Sequence, residues 1–467
     1  MPGPVTSPSP APTARWEAYR GRVERVRSQY AAVPAGSPVR LAKATSNLFR
    51  PRARPSSPGL DVSDFDGVVD VDLAAGHADV EAMTTYEHLV DALLPLGVMP
   101  LVVPELKTIT LGGALTGLGI ESTSFRNGMP HESVLEMDIL TGDGEVVTAS
   151  PANEHRDLFH GFPNSYGTLG YALRARIEVE AVHPYVHLRH LAFSELPRLI
   201  EVLEEACDQR SVGGEAVDFV DGAVFSRDEC YLTLGSWSDA APYSSDYTRT
   251  GIYYRSIQQR AEDWLSVRDY LWRWDTDWFW CSRAFGAQNP WVRRLAGPRL
   301  LRSDVYWKMM AFEDRHGWKA SFDRRRGRPE RENVIQDIEV PVGRLREFVE
   351  GFWREVPISP IWLCPLRQRD PNVTWELYRM QPEELYVNVG FWSSVALEPG
   401  MDREHHNRWV EDEVERLGGR KSLYSTSSYD PDRFWHLYNG SAYAGLKARY
   451  DPDGRLLDLY DKCVAAR

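Results

Sequence analysis

A chain of 467 residues is too long for one ordinary core and argues for two or three domains. Its 43% hydrophobic and 26% charged residues are those of a soluble globular protein, and a net charge of −13 argues against nucleic acid as a partner, because phosphate binding needs a basic surface. No run of about eighteen apolar residues exists to span a bilayer, and the five cysteines (Cys207, Cys230, Cys281, Cys364 and Cys463) form no CxxC, so neither a disulfide framework nor a metal site is expected.

The N-terminal MPGPVTSPSPAPTARWEAYR lacks a basic segment followed by an apolar one, so it is not a secretory signal. Its Pro, Ser and Ala content predicts a disordered tail ahead of a helix starting near Arg15, and residues 1–35 form this first unit. GVVDVDL (67–73) alternates as a strand does. TTYEHLVDALLPLG (84–97) repeats apolar residues at helical spacing, with Thr84 as the expected cap. MPLVVPEL (99–106) predicts a buried strand, residues 133–150 a hairpin with GDG at its tip, and residues 171–182 another strand. Strands interleaved with a helix give an α+β unit over 36–183.

Tryptophan then becomes frequent, and WLSVRDYLWRWDTDWFWCSRAFG (264–286) is dense in large aromatics. RRRGRPERE (324–332) reads as a basic loop. Residues 332–353 read as a strand followed by a helix entered at Pro341, and 357–366 and 383–392 as further strands. The unit 184–424 is therefore expected to be built on an antiparallel sheet. Residues 425–467 read as a helix, a DPDG turn and a short terminal helix, and are expected to return to the first unit.

Chemistry concentrates in TITLGGALTGLGIESTSFRNGMPHESVLEMDILTGDGEV (108–146). Gly112, Gly113, Gly117 and Gly119 fall within eight residues, so backbone N–H groups can approach a phosphate closely. Thr110 and Ile120 flank them, Ser122, Thr123 and Ser124 add hydroxyls, and Gly128 adds a turn. The run is not the GxGxxG fingerprint of the doubly wound fold, and a tight turn against a sheet is the alternative reading. The order is a Gly-rich loop, a hairpin, then DLFHGFPNSYGTLGYALRARIEV (157–179). That order resembles the second half of the FAD domain in the vanillyl-alcohol-oxidase (PCMH-type) superfamily. The resemblance implies a two-subdomain FAD-binding domain with an antiparallel-sheet cap domain. It also implies FAD contacts at Thr110, Gly112, Gly113, Gly117, Gly119, Ile120, Glu121, Ser122 and Ser124, and at Gly167, Leu169, Gly170 and Ile177. The earlier phosphate loop would be KATSNLFRPR (43–52), where Ser46, Asn47 and Arg50 offer a hydroxyl, an amide and a fixed charge. It has no histidine, so FAD is expected without a covalent bond.

Further pieces are similar to the delta-24-sterol reductase (diminuto) family: LVVPELKTITLGGALTGLGIESTSFRNG (101–128), NVIQDIEVPV (333–342), PIWLCPL (360–366), ELYVNVG (384–390) and FWHLYNGSAYAGLKARYDP (434–452). The TSNLFR loop and the anchorless N-terminus resemble the actinobacterial relatives that reduce a methylene-branched fatty acyl chain. Both resemblances imply reduction of an isolated C=C bond with NADPH or NADH as donor. The acyl substrate, in a phospholipid, is preferred over a delta-24 sterol, and a flavin-dependent alcohol or sugar oxidase or dehydrogenase is a further alternative. A cytoplasmic enzyme, peripheral at the inner face of a membrane, is expected. A homodimer and association with a lipid methyltransferase are compatible with this reading.

An isolated alkene needs a general acid, a dry pocket and aromatic faces. Strand alternation places Gln336, Ile338 and Val340 on one face and Asp337 and Glu339 on the other. Asp337, Glu339, Tyr386 and Gln336 are the catalytic candidates, against solvated carboxylates or a core tyrosine as the ordinary alternatives. Trp362, Asn388, Trp392 and Tyr424 are the substrate candidates, and His436 is a weaker one. Trp272, Trp274, Trp278, Trp280 and Trp291, with Arg293, Arg294, Arg299 and Arg302, are expected to touch a membrane, since tryptophan favours the lipid–water boundary and arginine anionic headgroups.

Overall fold

The computed structural model describes residues 12–43, 49–50, 59–249, 251–316 and 326–465. Ser46 and Asn47 lie outside the described residues. The first helix, α1 (Pro12–Ala31), starts three residues before the expected point. Tyr19, Val26 and Tyr30 make its buried stripe, and the Tyr19 hydroxyl donates to Asp138 at 2.6 Å.

The first sheet contains β1 (Val68–Asp72), β2 (His77–Glu81), β3 (Val98–Pro100), β4 (Val134–Leu140), β5 (Val146–Ala149) and β6 (Tyr171–Ala181). Its order is β1-β2-β6-β4-β5, with β3 also pairing β6, and every pairing is antiparallel. Arg174 on β6 is buried among Asp79, Glu136 and Asp138, so three neighbouring strands share one guanidinium. The expected helix is α2 (Tyr86–Leu93), capped by Thr85 and not by Thr84. Thr84 is already engaged, since its hydroxyl accepts from Gly67 N at 2.8 Å. The expected strand 99–106 is paired only as far as Pro100. Pro100 and Pro104 have no N–H for a ladder, and the chain leaves the sheet there. Part of the Gly-rich run closes into a short helix, α3 (Leu111–Gly117), where Thr110 caps Gly113 N.

The chain crosses to the second sheet between Ala181 and Tyr185. That sheet contains β7 (Tyr185–Phe193), β8 (Phe219–Ser226), β9 (Glu229–Ser238), β10 (Glu262–Ser266), β11 (Arg331–Pro341), β12 (Ile361–Leu366), β13 (Tyr386–Ala396) and β14 (Arg420–Lys421). Its order is β10-β7-β9-β8-β12-β13-β11-β14, antiparallel throughout. Helix α4 (Leu196–Gln209) follows β7, and α5 (Pro290–Leu300) lies in the long connection between β10 and β11. The outer face of the sheet is covered by α4 together with α6 (Val342–Glu355) and α7 (His405–Arg416), which pack on Val334, Ile338, Val340, Leu363, Val387 and Val389. The inner face joins a second cluster that runs from Ala78 and Leu111 of the first unit to Trp362 and Trp392.

The expected single helix after residue 430 is two, α8 (Pro431–Leu437) and α9 (Gly440–Tyr450), because Asn439 adopts a left-handed φ of 53°. The end of α9 returns to the first sheet's hairpin, where Tyr450 O accepts from Gly142 N at 2.7 Å. All five cysteines are free thiols. Among the described residues no helix is long and apolar enough to cross a membrane, and no His/Cys/Asp/Glu group could hold a metal.

Candidate active site

A cavity of about 510 Å³ lies between the two sheets, within the ~300–1,000 Å³ range of cofactor and ligand sites. One wall belongs to the first unit. Gly112, Gly113, Gly117, Gly119, Thr110 and Ile120 line it, with Gly167, as expected from the sequence. The glycines are required by close approach. A Cβ on Gly112 would lie 2.9 Å from Ala82 Cβ, and one on Gly117 would lie 3.1 Å from the Tyr166 ring. Bare backbone therefore forms this wall.

Arg50 also lines the cavity. It donates to Leu423 O, stacks 4.6 Å over the Tyr166 ring, and has a buried Nε with no partner among the described residues. Arg40, Lys43 and Lys462 bring further positive charge, and Lys43 Nζ donates to Thr110 Oγ1 at 2.9 Å. Cationic side chains beside bare backbone, with a guanidinium N–H still to be satisfied, suit a diphosphate. The sequence does not single out Lys43 and Lys462, because no spacing rule joins positions more than four hundred residues apart.

Several expected cofactor residues lie elsewhere. Leu169 and Ile177 are core side chains, and Gly170 packs on Ile139 and Leu140 with a φ of 146°. Glu121, Ser122 and Ser124 sit behind the cavity wall and bond within the protein. Ser124 Oγ accepts from Glu121 N at 3.0 Å, and Ser122 Oγ is 2.8 Å from Tyr270 OH. Glu121 joins Glu105 and Asp221 around the fully buried Arg273, with Glu105, Glu121 and Asp221 at 3.2, 3.2 and 2.8 Å from Nη2. Three carboxyl groups share one cation, and burial with the nearby Glu121 raises the Glu105 carboxyl well above the usual range. Glu105 lines the cavity and was hidden in the sequence as the end of an apolar run.

The opposite wall is the inner face of the second sheet with an aromatic segment folded over it. Trp362, Gly390 and Asp337 form one row across β12, β13 and β11. A Cβ on Gly390 would come 2.6 Å from both Asp337 Oδ1 and the Trp392 ring, so glycine makes room for both side chains. Asp337 is half-buried and lines the cavity, and desolvation there pushes its carboxyl up to about 6. Asn388 Nδ2 donates to Asp337 Oδ1 at 3.1 Å. Trp392 Nε1 donates to Tyr424 OH at 3.2 Å. An indole N–H can only donate, so the tyrosine oxygen accepts there and its own O–H points to Asp337. Trp362, Trp392 and Tyr424 line the cavity as expected, whereas Asn388 acts through Asp337.

Phe279 stacks on Trp392 at 4.2 Å, and Trp278 stacks on Phe49 at 5.4 Å. Both line the cavity with left-handed backbone, φ 60° and 44°. Of the eight non-glycine residues with positive φ among the described residues, four (Leu118, Tyr166, Trp278 and Phe279) line this one cavity. Such concentration of unfavourable backbone marks a site that the surrounding packing is built to hold.

The other catalytic candidates do not reach the cavity. Gln336 points to the outer face and donates to Asn407 Oδ1 at 2.5 Å, as strand alternation from Asp337 requires. Glu339 shares the inner face with Asp337 but is bonded by the Tyr378 hydroxyl, and burial, reinforced by Asp337, pushes its carboxyl up to about 8. Tyr386 lies opposite Leu366, past the cavity edge, as a core tyrosine whose oxygen accepts from Gln381 N. His436 is exposed on α8. The expected membrane-facing stretch is mostly interior. Trp272, Trp274, Trp278 and Trp280 are buried, Arg293 is buried 2.6 Å from Asp277, and Arg302 pairs with Glu87 at 2.8 Å. Only Trp291, Arg294 and Arg299 of that set are exposed.

A family profile described as an FAD binding domain matches residues 28–150. The delta(24)-sterol reductase of Homo sapiens is 26% identical over 418 residues, covering 86% of this chain and 77% of that protein. The delta(24)-sterol reductase of Arabidopsis thaliana is 24% identical over 460 residues, covering 91% and 80%. Cytokinin dehydrogenase 6 of Oryza sativa subsp. japonica is 30% identical over 479 residues, covering 97% and 82%. With the α+β architecture and the glycine-walled, cationic cavity, these matches establish that the chain belongs to the FAD-dependent oxidoreductases with a PCMH-type FAD-binding domain.

Proposed function

We propose that the enzyme reduces an isolated C=C bond in a lipid, a methylene-branched fatty acyl chain of a phospholipid, with NADPH or NADH as donor. The observation that carries this reading is Asp337: a half-buried, protonatable carboxyl lining the cavity, held by Asn388 and Tyr424 among Trp278, Phe279, Trp362 and Trp392. Non-covalently bound FAD would be held by Arg50, Lys43 and the glycine wall. When bound, it supplies hydride transfer from the nicotinamide to carbon.

Asp337 gives its proton to the less substituted alkene carbon. The positive charge then left on the branched carbon faces indole and phenyl rings, which stabilise it electrostatically. Hydride closes the second C–H bond, so one proton and one hydride are added and the donor is oxidised. At pH 7 a carboxyl titrating near 6 is protonated in about a tenth of the molecules, enough for a general acid and matched to its task. The step needs a dry site, since water would otherwise capture the cation.

The names of the sterol reductase relatives favour a second substrate, the delta-24 double bond of a sterol, with the same atoms added. The test is anaerobic mixing of the yellow protein with NADPH, then NADH, followed at the flavin band near about 450 nm. Bleaching, followed by recovery of colour on adding methylene-branched phospholipid and formation of the methyl-branched product, is expected. Recovery with the sterol alone selects the second substrate. Absence of bleaching by either nucleotide contradicts both.

A further inference from the structure

Ten large apolar side chains are exposed among the described residues, and five of them (Trp291, Val292, Leu295, Leu300 and Met309) fall between residues 291 and 309. Single exposed apolar residues need no explanation, but a cluster does. Most of it lies on α5, which is broken at Gly297 (φ 64°), with Trp291, Val292 and Leu295 on the segment before the break and Leu300 after it. Trp291 is 74% and Leu295 86% exposed, and their i, i+4 spacing puts them on one face. Arg293 is the buried residue of this helix, with Nη1 2.6 Å from Asp277 and Nη2 donating to Gly251 O at 2.7 Å. Asp277 immediately precedes Trp278 and Phe279, so one ion pair fastens the exposed helix to the aromatic wall of the cavity.

The charge of this region is opposite to that of the molecule. Between Arg283 and Arg302 there are five arginines and no Asp or Glu, in a chain of net charge −13. Arg283, Arg294 and Arg299 are exposed. A two-fold contact centred on this patch would bring two arginine-bearing faces together, which disfavours self-association through it. An anionic lipid surface accepts both the projecting apolar groups and the guanidinium groups, without a shaped partner.

We propose that α5 is a docking surface for an anionic phospholipid bilayer, with Trp291 and Leu295 entering the headgroup–acyl boundary and Arg294 and Arg299 engaging lipid phosphates. The proposal narrows the region read from the sequence to one helix, and it stands apart from the reaction proposed above.

The full-length flavoprotein is floated with vesicles of phosphatidylcholine alone or mixed with phosphatidylglycerol. Flotation with the mixed vesicles, absent with the neutral ones and reduced by added salt, is expected. Leu295→Glu and the pair Arg294→Gln/Arg299→Gln should each weaken it about tenfold or more, while the bound flavin spectrum stays that of the parent. Three results overturn the proposal: no flotation with either vesicle, equal flotation with both, or flotation unchanged in the variants. A change of oligomeric state in Leu295→Glu without any vesicle effect would also overturn it, because the face would then belong to a second copy.

Discussion

The two walls of the cavity use opposite chemistry. The wall from the first unit is bare backbone and positive charge, with Gly112, Gly113, Gly117 and Gly119 beside Arg50 and Lys43. The wall from the second sheet is aromatic, with Asp337 set in it and supported by Asn388 and Tyr424. The first wall suits a diphosphate-bearing cofactor that never changes covalently at that end. The second suits an apolar substrate that must receive a proton. Binding and chemistry are thereby assigned to different structural units, and variants should separate them.

The largest expected effect is on the second wall alone. Asp337→Asn keeps the shape and the contact with Asn388 but cannot act as the acid, so substrate reduction should fall about 10²–10⁴-fold. Flavin content and bleaching by the nicotinamide should be retained, as measured by stopped-flow absorbance of each half-reaction. Loss of both halves together would break the comparison.

The same residue sets a pH-dependent stability. Its carboxyl is raised from 3.8 to about 6 in the folded state, so the folded protein holds the proton more tightly than the unfolded chain. The resulting stabilisation is full below pH 3.8 and is lost as pH rises through 6, a span of about 3 kcal/mol. Glu339, raised from 4.5 to about 8, extends the loss upward in the same direction. Denaturant unfolding between pH 5 and 8 (about the range flanking these groups) should show stability falling with pH, and Asp337→Asn should flatten the lower part of that slope.

On the first wall, Arg50→Met removes a charged donor while keeping much of the stem. FAD should bind about 10–100-fold more weakly, the range for a lost charged hydrogen bond of about 1.5–3 kcal/mol. The flavin that remains bound should react at the parental rate. Fluorescence titration of the apoprotein with FAD measures the first quantity and single-turnover kinetics the second. The smallest effect is expected at Gln336, one residue from Asp337 and on the other face. Gln336→Leu severs the Asn407 contact and should cost about 1 kcal/mol of stability without altering either half-reaction. Any change in the rate of substrate reduction would show that the outer face reports on the inner one.

Much of the first wall was legible in the sequence because glycine density has one physical meaning: backbone must come close to something. The motif nevertheless runs further than the cavity lining: Leu169 and Ile177 are core side chains, and Gly170 lies against Ile139 and Leu140. On the second wall, alternation set Asp337 apart from Gln336, but it could not show where along β11 the cavity ends, so Glu339 was grouped with Asp337. Trp278 and Phe279 were visible as part of an aromatic stretch, yet tryptophan beside arginine reads equally as a surface or an interior. Only folding shows that Arg293 is neutralised by Asp277 inside while Arg294 is exposed. Lys462 and Glu105 carry no local pattern, since their relevance comes from long-range packing.

Asp337, on this reading, supplies the proton to an apolar alkene beside a flavin held by the other wall. The most direct test is the pH dependence of colour recovery when the reduced enzyme meets methylene-branched phospholipid under anaerobic conditions. The expected rate falls as pH rises above about 6. In Asp337→Asn that limb should disappear together with most of the rate, with FAD still bound. Recovery at the parental rate in Asp337→Asn, or a limb that persists in it unchanged, would contradict the assignment of Asp337 as the acid.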